Sequence, residues 1–588
     1  MRTVAALLLL ICGSRALAAC QLARYAELPV TISNGRAYVS GSVNGVDTRF
    51  FADSGAFFSI ISAEAARRFN LRLEPLPGGM EVRGIDGGGD YYLGRAKEFS
   101  LAGMGDFHDV EFIVGGNAFA ADSAGILGQN VIGHADTEYD FANGVMRLLR
   151  SKGCAHANLA YWQKGGDVSE LPIDAVSPAA PHFIGQITLN GAKIRAIFDS
   201  GAMRSMLDKR AARRAGIKLD GPDVTSGGVW GGLNGRTTET WITRFDTLDL
   251  GGETIRNARL RIADIDLPIG ADMLLGMDFF LSHHIYVAGG EHKIFFTYNG
   301  GHVFDLRPTV SGQQTAADAP APSVATNSST GADAAELRRR GAASAERNDF
   351  ARALPDLNRA VELAPDDPEN YHTRGVVYWR SGNGEQALRD FDQALKLKPD
   401  DVGLLLDRGS LSLQHNDEPG ARADLDHAES LAPTDANVSL RIAAAYEGAG
   451  RFQQAVSYLD RWVIANPRDD RMPGVLGDCC WLRALMPQVP DQAISDCSRA
   501  LSGGQHTARA YEGRGLIYLR SQRFDKAIAD FSAALRMQPR DAEALYARGL
   551  AESGKGLEDR GDQDMKAAMA LRASAPEQFK SIGLVPAH

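Results

Sequence analysis

The tetrapeptide Asp53-Ser54-Gly55-Ala56 returns 146 positions later as Asp199-Ser200-Gly201-Ala202, each time behind an apolar, strand-like run. Its surroundings return with it. Asn44-Gly45 recurs as Asn190-Gly191, Arg49 as Arg195, Ser59 as Ser205, and Ala65-Ala66-Arg67-Arg68 as Ala211-Ala212-Arg213-Arg214, all at that offset. Ile126-Leu127-Gly128 is answered by Leu274-Leu275-Gly276. The N-terminal half is therefore an internal duplication, which points to two like units in pseudo-twofold relation. Each copy carries one carboxylate, so chemistry that takes one carboxylate from each half is the first to consider.

Both copies read as β-rich. Residues 28–33, 36–43 and 47–52 are short strand runs separated by Asn34-Gly35 and Asn44-Gly45, dipeptides that tolerate the positive φ of a tight hairpin turn. The second copy repeats the plan with 183–189, a turn at Asn190-Gly191, and 193–198. A short helix is expected after each tetrapeptide, over 63–69 and 209–215.

The length of 588 residues suggests three or four domains at roughly 150 residues each. With 63 basic against 73 acidic residues and no basic stripe, nucleic acid and anionic membrane surfaces are excluded as main partners. The first 19 residues read as an export signal: Arg2, an apolar core over 4–12, and the small-residue site Ala16-Leu17-Ala18. That core is too short to span a bilayer. Export to a compartment such as the bacterial periplasm, where disulfides are permitted, is the expectation. Two readings of Cys20 stay open. It pairs with Cys154, bracketing the first copy, or Leu17-Ala18-Ala19-Cys20 is a lipobox and Cys20 is lipidated. Among Cys479, Cys480 and Cys497, one further pair is expected.

Residues 307–333 are rich in Ala, Pro, Ser, Thr and Gln, a composition that buries too little surface to order itself and reads as a flexible linker. Beyond it a new period begins. Pro365, Pro399, Pro433 and Pro467 are spaced by 34, and Pro539 lies 72 further on. Gly375, Tyr378, Ala387, Phe391 and Ala394 fill one repeat, and Gly515, Tyr518, Ala527, Phe531 and Ala534 fill another in the same register. The pattern resembles the tetratricopeptide (TPR) family, with six or seven repeats over 334–576. That resemblance implies an all-α solenoid whose groove binds a protein partner. The expected division is a signal at 1–19, halves at 20–155 and 156–306, the linker, the repeats, and a tail at 577–588.

The first half can also be placed. An apolar run ending in Asp-Ser-Gly-Ala, followed by apolar-apolar-Gly at a spacing of 75 (Asp53 to Gly128) and 77 (Asp199 to Gly276), resembles the retropepsin-type aspartic proteases. The fold implied is an all-β acid protease with both halves in one chain, so the site needs no homodimer. The resemblance makes Asp53 and Asp199 the catalytic pair. Two carboxylates about 3 Å apart cannot both ionise and share a proton. The ionised one takes a proton from water while the other donates to the scissile carbonyl. Ser54 and Ser200 would brace the two loops, Gly55 and Gly201 allow tight turns, and Ala56 and Ala202 fit the crowded interface. Gly128 and Gly276 would let their strands cross beneath.

Glycine-rich segments stand where such enzymes carry flaps: Gly84-Ile85-Asp86-Gly87 in the first copy and Val229-Trp230-Gly231 in the second. No cofactor or metal is expected. No H-E-x-x-H zinc site, phosphate loop or G-x-S-x-G elbow appears. His283-His284 cannot aim both rings at one metal from a regular element and is expected at a turn. The leading expectation is an exported aspartic endopeptidase with a polypeptide substrate. The alternative is a periplasmic TPR adaptor with an inactive protease-like domain.

Overall fold

The computed structural model describes residues 20–77, 83–84, 87–88, 91–115, 123–133, 135–155, 157–175, 182–219, 221, 223–231, 237–265, 267, 270–300, 303–304, 333–467, 469, 471–486, 492–502, 507–538 and 541–584. The expected signal and nearly all of the expected linker lie outside them.

The first half opens as a meander of Gln21–Ser33, Arg36–Val43 and Val46–Ala52. Asn34, Gly35, Asn44 and Gly45 all take positive φ, as two-residue hairpin turns demand. The strand Ser123–Leu127 then runs parallel to Val46–Ala52, with Ile126 opposite Phe51 and Leu127 opposite Ala52. The second half repeats this: Ile184–Leu189 and Ala192–Phe198 form the hairpin, and Met273–Leu275 lies parallel to the latter with Leu275 opposite Phe198. The short helices Ala63–Arg68 and Lys209–Arg214 follow, capped by Ser62 and Asp208.

The halves are joined by one sheet. Gln21–Ser33, Val145–Lys152 and Asp136–Asp140 of the first meet His283–Ala288, Lys293–Tyr298 and Ser169–Pro172 of the second. At the seam Glu138 lies opposite Tyr286. A single apolar core spans both halves, including Leu28, Phe50, Phe112, Phe198, Phe280 and Ile285. Burial on that scale makes the two halves one folding unit. Arg147, from the same half, donates to Glu138, while from across the seam the Tyr161 hydroxyl donates to that carboxylate and the His284 ring bonds it at 2.8 Å.

Cys20 is bonded to Cys154, and Cys480 to Cys497, leaving Cys479 as the free, buried cysteine among the described residues. With its sulfur in that bond, Cys20 has no thiol for the lipid thioether that the competing reading required. His283 and His284 begin a buried strand rather than a turn. Strand alternation sends the two rings to different partners, His283 to Glu253 and His284 to Glu138.

From Ala334 the chain is helical. Among the described residues seven antiparallel pairs run from Ala334–Glu346 with Phe350–Leu363 to Ala542–Gly554 with Glu558–Leu571, followed by Ala575–Ser581. The regular second helices stop at Leu363, Leu397, Leu431 and Ala465, each two residues before a period proline. The residue before proline is pushed out of the helical region, so the stop is local in origin. A Cβ on Gly375 would lie 2.7 Å from the Phe391 ring, which is why a small residue faces the aromatic. Arg374, Arg408, Arg514 and Arg548 each fork onto the aspartate sixteen positions ahead. The pair after Ala465 departs from this register, with Met472–Leu485 and the shorter Gln492–Ser502.

The array does not begin free of the β-rich part. Ala343 belongs to the shared core. Arg339 donates to the Gly144 carbonyl at 3.1 Å, Arg347 to the Leu281 carbonyl at 3.0 Å, and the Gly35 amide to Glu346 at 2.9 Å.

Candidate active site

Each Asp-Ser-Gly-Ala loop begins where its strand ends. The Asp53 amide donates to the Leu127 carbonyl at 3.0 Å, and the Asp199 amide to Leu275 at 2.9 Å, so the apolar-apolar-Gly strand fixes where each aspartate leaves the sheet. The Gly55 amide then donates to Asp53 Oδ1 at 2.8 Å and the Gly201 amide to Asp199 Oδ1 at 2.9 Å. Each carboxylate is thus held by its own turn.

The serines tie one loop to the other. Ser54 Oγ donates to the Phe198 carbonyl and accepts from the Ser200 amide, both at 2.9 Å. Ser200 Oγ donates to the Ala52 carbonyl at 2.9 Å and accepts from the Ser54 amide at 3.0 Å. Both hydroxyls are buried, so all four bonds are made away from water, where leaving them unmade is costly.

The glycines are required by contact. A Cβ on Gly55 would stand 2.4 Å from the Asp199 carboxyl carbon, and one on Gly201 would stand 2.2 Å from that of Asp53. Each aspartate therefore lies against the opposite loop, and the two carboxyls are hydrogen-bonded to each other. Gly128 and Gly276 pass as closely: a Cβ would meet the Phe58 carbonyl carbon at 2.7 Å or that of Arg204 at 2.6 Å. Ala56 and Ala202 accept backbone bonds from Gln129 and Met277.

Burial pushes the Asp53 carboxyl well above its ordinary value, and the neighbouring Asp199 charge raises it further. Burial raises Asp199 too, while its bond to Asp53, the Gly201 and Ala202 amides and His182 pull it back. Such a pair shares one proton and titrates as a unit. It can remove a proton from water with one member and donate with the other.

In the first expected flap Arg83 pairs with Gly88 and Gly84 with Gly87; Ile85 and Asp86 lie outside the described residues. In the second, Thr225–Gly231 pairs with Thr237–Arg244, bringing Val229, Trp230 and Gly231 opposite Glu239, Thr238 and Thr237.

Several site residues carry no motif. Ser59 Oγ accepts from the Gly128 amide and donates to Asn130, and Ser205 does the same with Gly276 and Asp278. The serines were visible in the duplication. Their partners were not, because Asn130 and Asp278 differ in type and fall two positions off the common offset. Gln129 donates to the Ser54 carbonyl at 2.8 Å, and the buried Tyr139 lies close enough to be acted on by the Asp53 charge. Neither has a counterpart in kind in the second copy. Away from this site, Glu138, Asp140 and His284 lie within 4.8 Å of one another, but the Arg147 guanidinium already bridges both carboxylates. The cluster is a neutralised ion-pair network, not a cation cage.

Comparison with known families agrees with this geometry. Residues 39–134 match the family described as "gag-polyprotein putative aspartyl protease", and residues 185–279 match the family "Aspartyl protease". Residues 340–401, and again 372–436, 488–534 and 512–559, match tetratricopeptide-repeat families. The chain joins aspartyl-protease-type domains to a tetratricopeptide array. A search of curated proteins finds no match. Among solved structures, a tetratricopeptide repeat protein from Parabacteroides merdae is 19% identical over 42% of this chain and 98% of its own, with a TM-score of 0.35. Yeast Tom70 is 18% identical over 42% and 52%, with a TM-score of 0.31. MamA from Desulfovibrio magneticus is 19% identical over 35% and 96%, with a TM-score of 0.22.

Proposed function

We propose that this protein is an exported aspartic endopeptidase. Asp53 and Asp199 activate one water between them for attack on a peptide carbonyl, with no covalent intermediate and no cofactor. The observation that carries the reading is the reciprocal closure of the two Asp-Ser-Gly-Ala loops. Four buried serine bonds and two glycines without side chains press the carboxyls together. Burying two mutually repelling acids costs stability. A reaction that needs both acids side by side accounts for that cost.

The repeats serve as the recruiting module in this proposal. Their first helix meets the Asn34-Gly35 turn through Glu346, and Gly35 in turn lies 3.7 Å (measured to its would-be Cβ) from Met203, next to Ala202. A polypeptide captured by the array is thereby held near the cleft, which raises its local concentration there. Two disulfides support an oxidising destination.

The test is digestion of a denatured-protein substrate between about pH 3 and 7 by the mature chain and by Asp53→Asn and Asp199→Asn. The expected result is cleavage by wild type and by neither variant. Mixing the two inactive variants should restore nothing, since each site is built within one chain. Cleavage that survives either substitution refutes a shared dyad. A wild type inert at every pH favours the adaptor reading.

A further inference from the structure

Beside the dyad lies a titratable ring with no assigned role. His182 precedes the strand Ile184–Leu189, which pairs with Ala192–Phe198 so that Ile184 faces Ile197. The Phe198 amide donates to the Phe183 carbonyl at 3.0 Å, and one further step of the same register brings His182 opposite Asp199. Alternation along the strand settles which way it faces. Phe183 points into the shared core, whereas Ile184, two residues from His182, packs in the cluster that touches Ala202 of the Asp loop. His182 Nδ1 is buried with no hydrogen-bond partner among the described residues. The Gly55 carbonyl, from the other loop, is the polar backbone group that acts on the ring, and Asp199 is the charged one.

The same register in the first half brings Arg36 opposite Asp53, since Tyr38 faces Phe51. Arg36 does something else: its guanidinium lies over the Phe51 ring, 5.1 Å from the centroid. The pseudo-twofold pair is therefore broken at these two positions.

We infer that His182 is a positioning residue that makes the two aspartates inequivalent: its protonated ring favours the carboxylate on Asp199 and leaves the shared proton on Asp53. The inference rests on the proposed protease reading. In the step that follows, the water oxygen bonds to the carbonyl carbon while its proton passes to Asp199. The carbonyl π pair takes the proton of Asp53, and a gem-diol results. The dyad ends with the same single proton, now on Asp199. Burial lowers the affinity of His182 for its proton, and the Gly55 carbonyl and Asp199 only partly offset this. Where the ring carries its proton it sets a positive charge beside Asp199, and that bias fades as pH rises past the ring's own titration, which burial moves down from the ordinary value.

The first measurement needs no activity. Exchange of the histidine C2 hydrogen, read by mass spectrometry across pH on the full chain, gives the midpoint for His182. Asp199→Asn should lower that midpoint by about half a unit or more, as loss of a nearby opposite charge does. Asp53→Asn, which leaves Asp199 ionised, should not lower it. Equal effects of the two substitutions, or none, would overturn the inference whether or not the protein cleaves anything. The second measurement is the pH profile of kcat/KM. His182→Gln should move the acid limb upward by about half to one unit, and His182→Arg, with a permanent cation, should restore its position. An unchanged limb in a cleaving His182→Gln enzyme refutes the inference and leaves the protease reading standing.

Discussion

Ser54→Ala removes one oxygen and breaks two bonds at once. The Phe198 carbonyl loses its donor and the Ser200 amide its acceptor, both from 2.9 Å, at a residue that is fully buried. An unmet buried polar group costs about 1–3 kcal/mol, so the pair costs about 3 kcal/mol. Since every 1.4 kcal/mol is a factor of about ten, amides closed off by the loop interface should exchange with solvent roughly a hundredfold faster. The assay is hydrogen exchange by mass spectrometry on peptides covering 46–61 and 192–208, under conditions where exchange tracks local opening. The duplication adds a stricter condition. Ser200 Oγ makes the mirror pair of bonds, to the Ala52 carbonyl and from the Ser54 amide, so Ser200→Ala should loosen the same peptides to the same degree. Exchange unchanged in either variant, or faster in one loop alone, would refute the reciprocal clasp.

Three further outcomes follow from the same contacts. Gly201→Ala sets a methyl within 2.2 Å of the Asp53 carboxyl carbon; kcat should fall about a hundredfold, as displacement by 1 Å can cause, with the far-UV dichroism of the chain unchanged. Burial pushes Glu138 up, but His284, Tyr161 and Arg147 together hold it below its ordinary value. Its contribution is therefore present above the unfolded value of 4.5 and is lost as pH falls through the folded one. Glu138→Gln should accordingly lower Tm more at pH 7 than at pH 3, measured in the Asp53→Asn background to prevent autolysis. Arg374→Ala breaks a fork onto Asp390 at 2.7 and 2.8 Å and should cost about 1.5–3 kcal/mol. Hydrogen exchange should show that loss in the neighbouring helices and not in the β-rich halves, because repeats touch only their neighbours.

The sequence carried much of this because the two signals are local. Asn34-Gly35 and Asn44-Gly45 dictate hairpins through positive φ, and the period prolines stop helices through their preceding residue. The identical tetrapeptides announced a pair of carboxylates for the same reason. The parts that stayed hidden depend on what two distant strands bring together. Asn130 and Asp278 bind equivalent serines but differ in type and in offset. His182 and Arg36 share the 146-residue offset without sharing chemistry, so neither looks like the other's counterpart until strand register aligns them. His283-His284, expected at a turn because adjacent rings cannot share one metal from a regular element, instead have each ring satisfied by a carboxylate, Glu253 or Glu138, from another strand. The composition of 307–333 likewise gives no hint that Ala343, ten residues later, is part of the core shared by the β-rich halves.

The central claim is one dyad assembled within one chain, and titration with a tight-binding transition-state mimic of the statine type tests it most directly. Calorimetry of the mature protein in mildly acidic buffer should give one inhibitor per chain, with binding abolished by Asp53→Asn and equally by Asp199→Asn. Retained binding in either variant would contradict the claim.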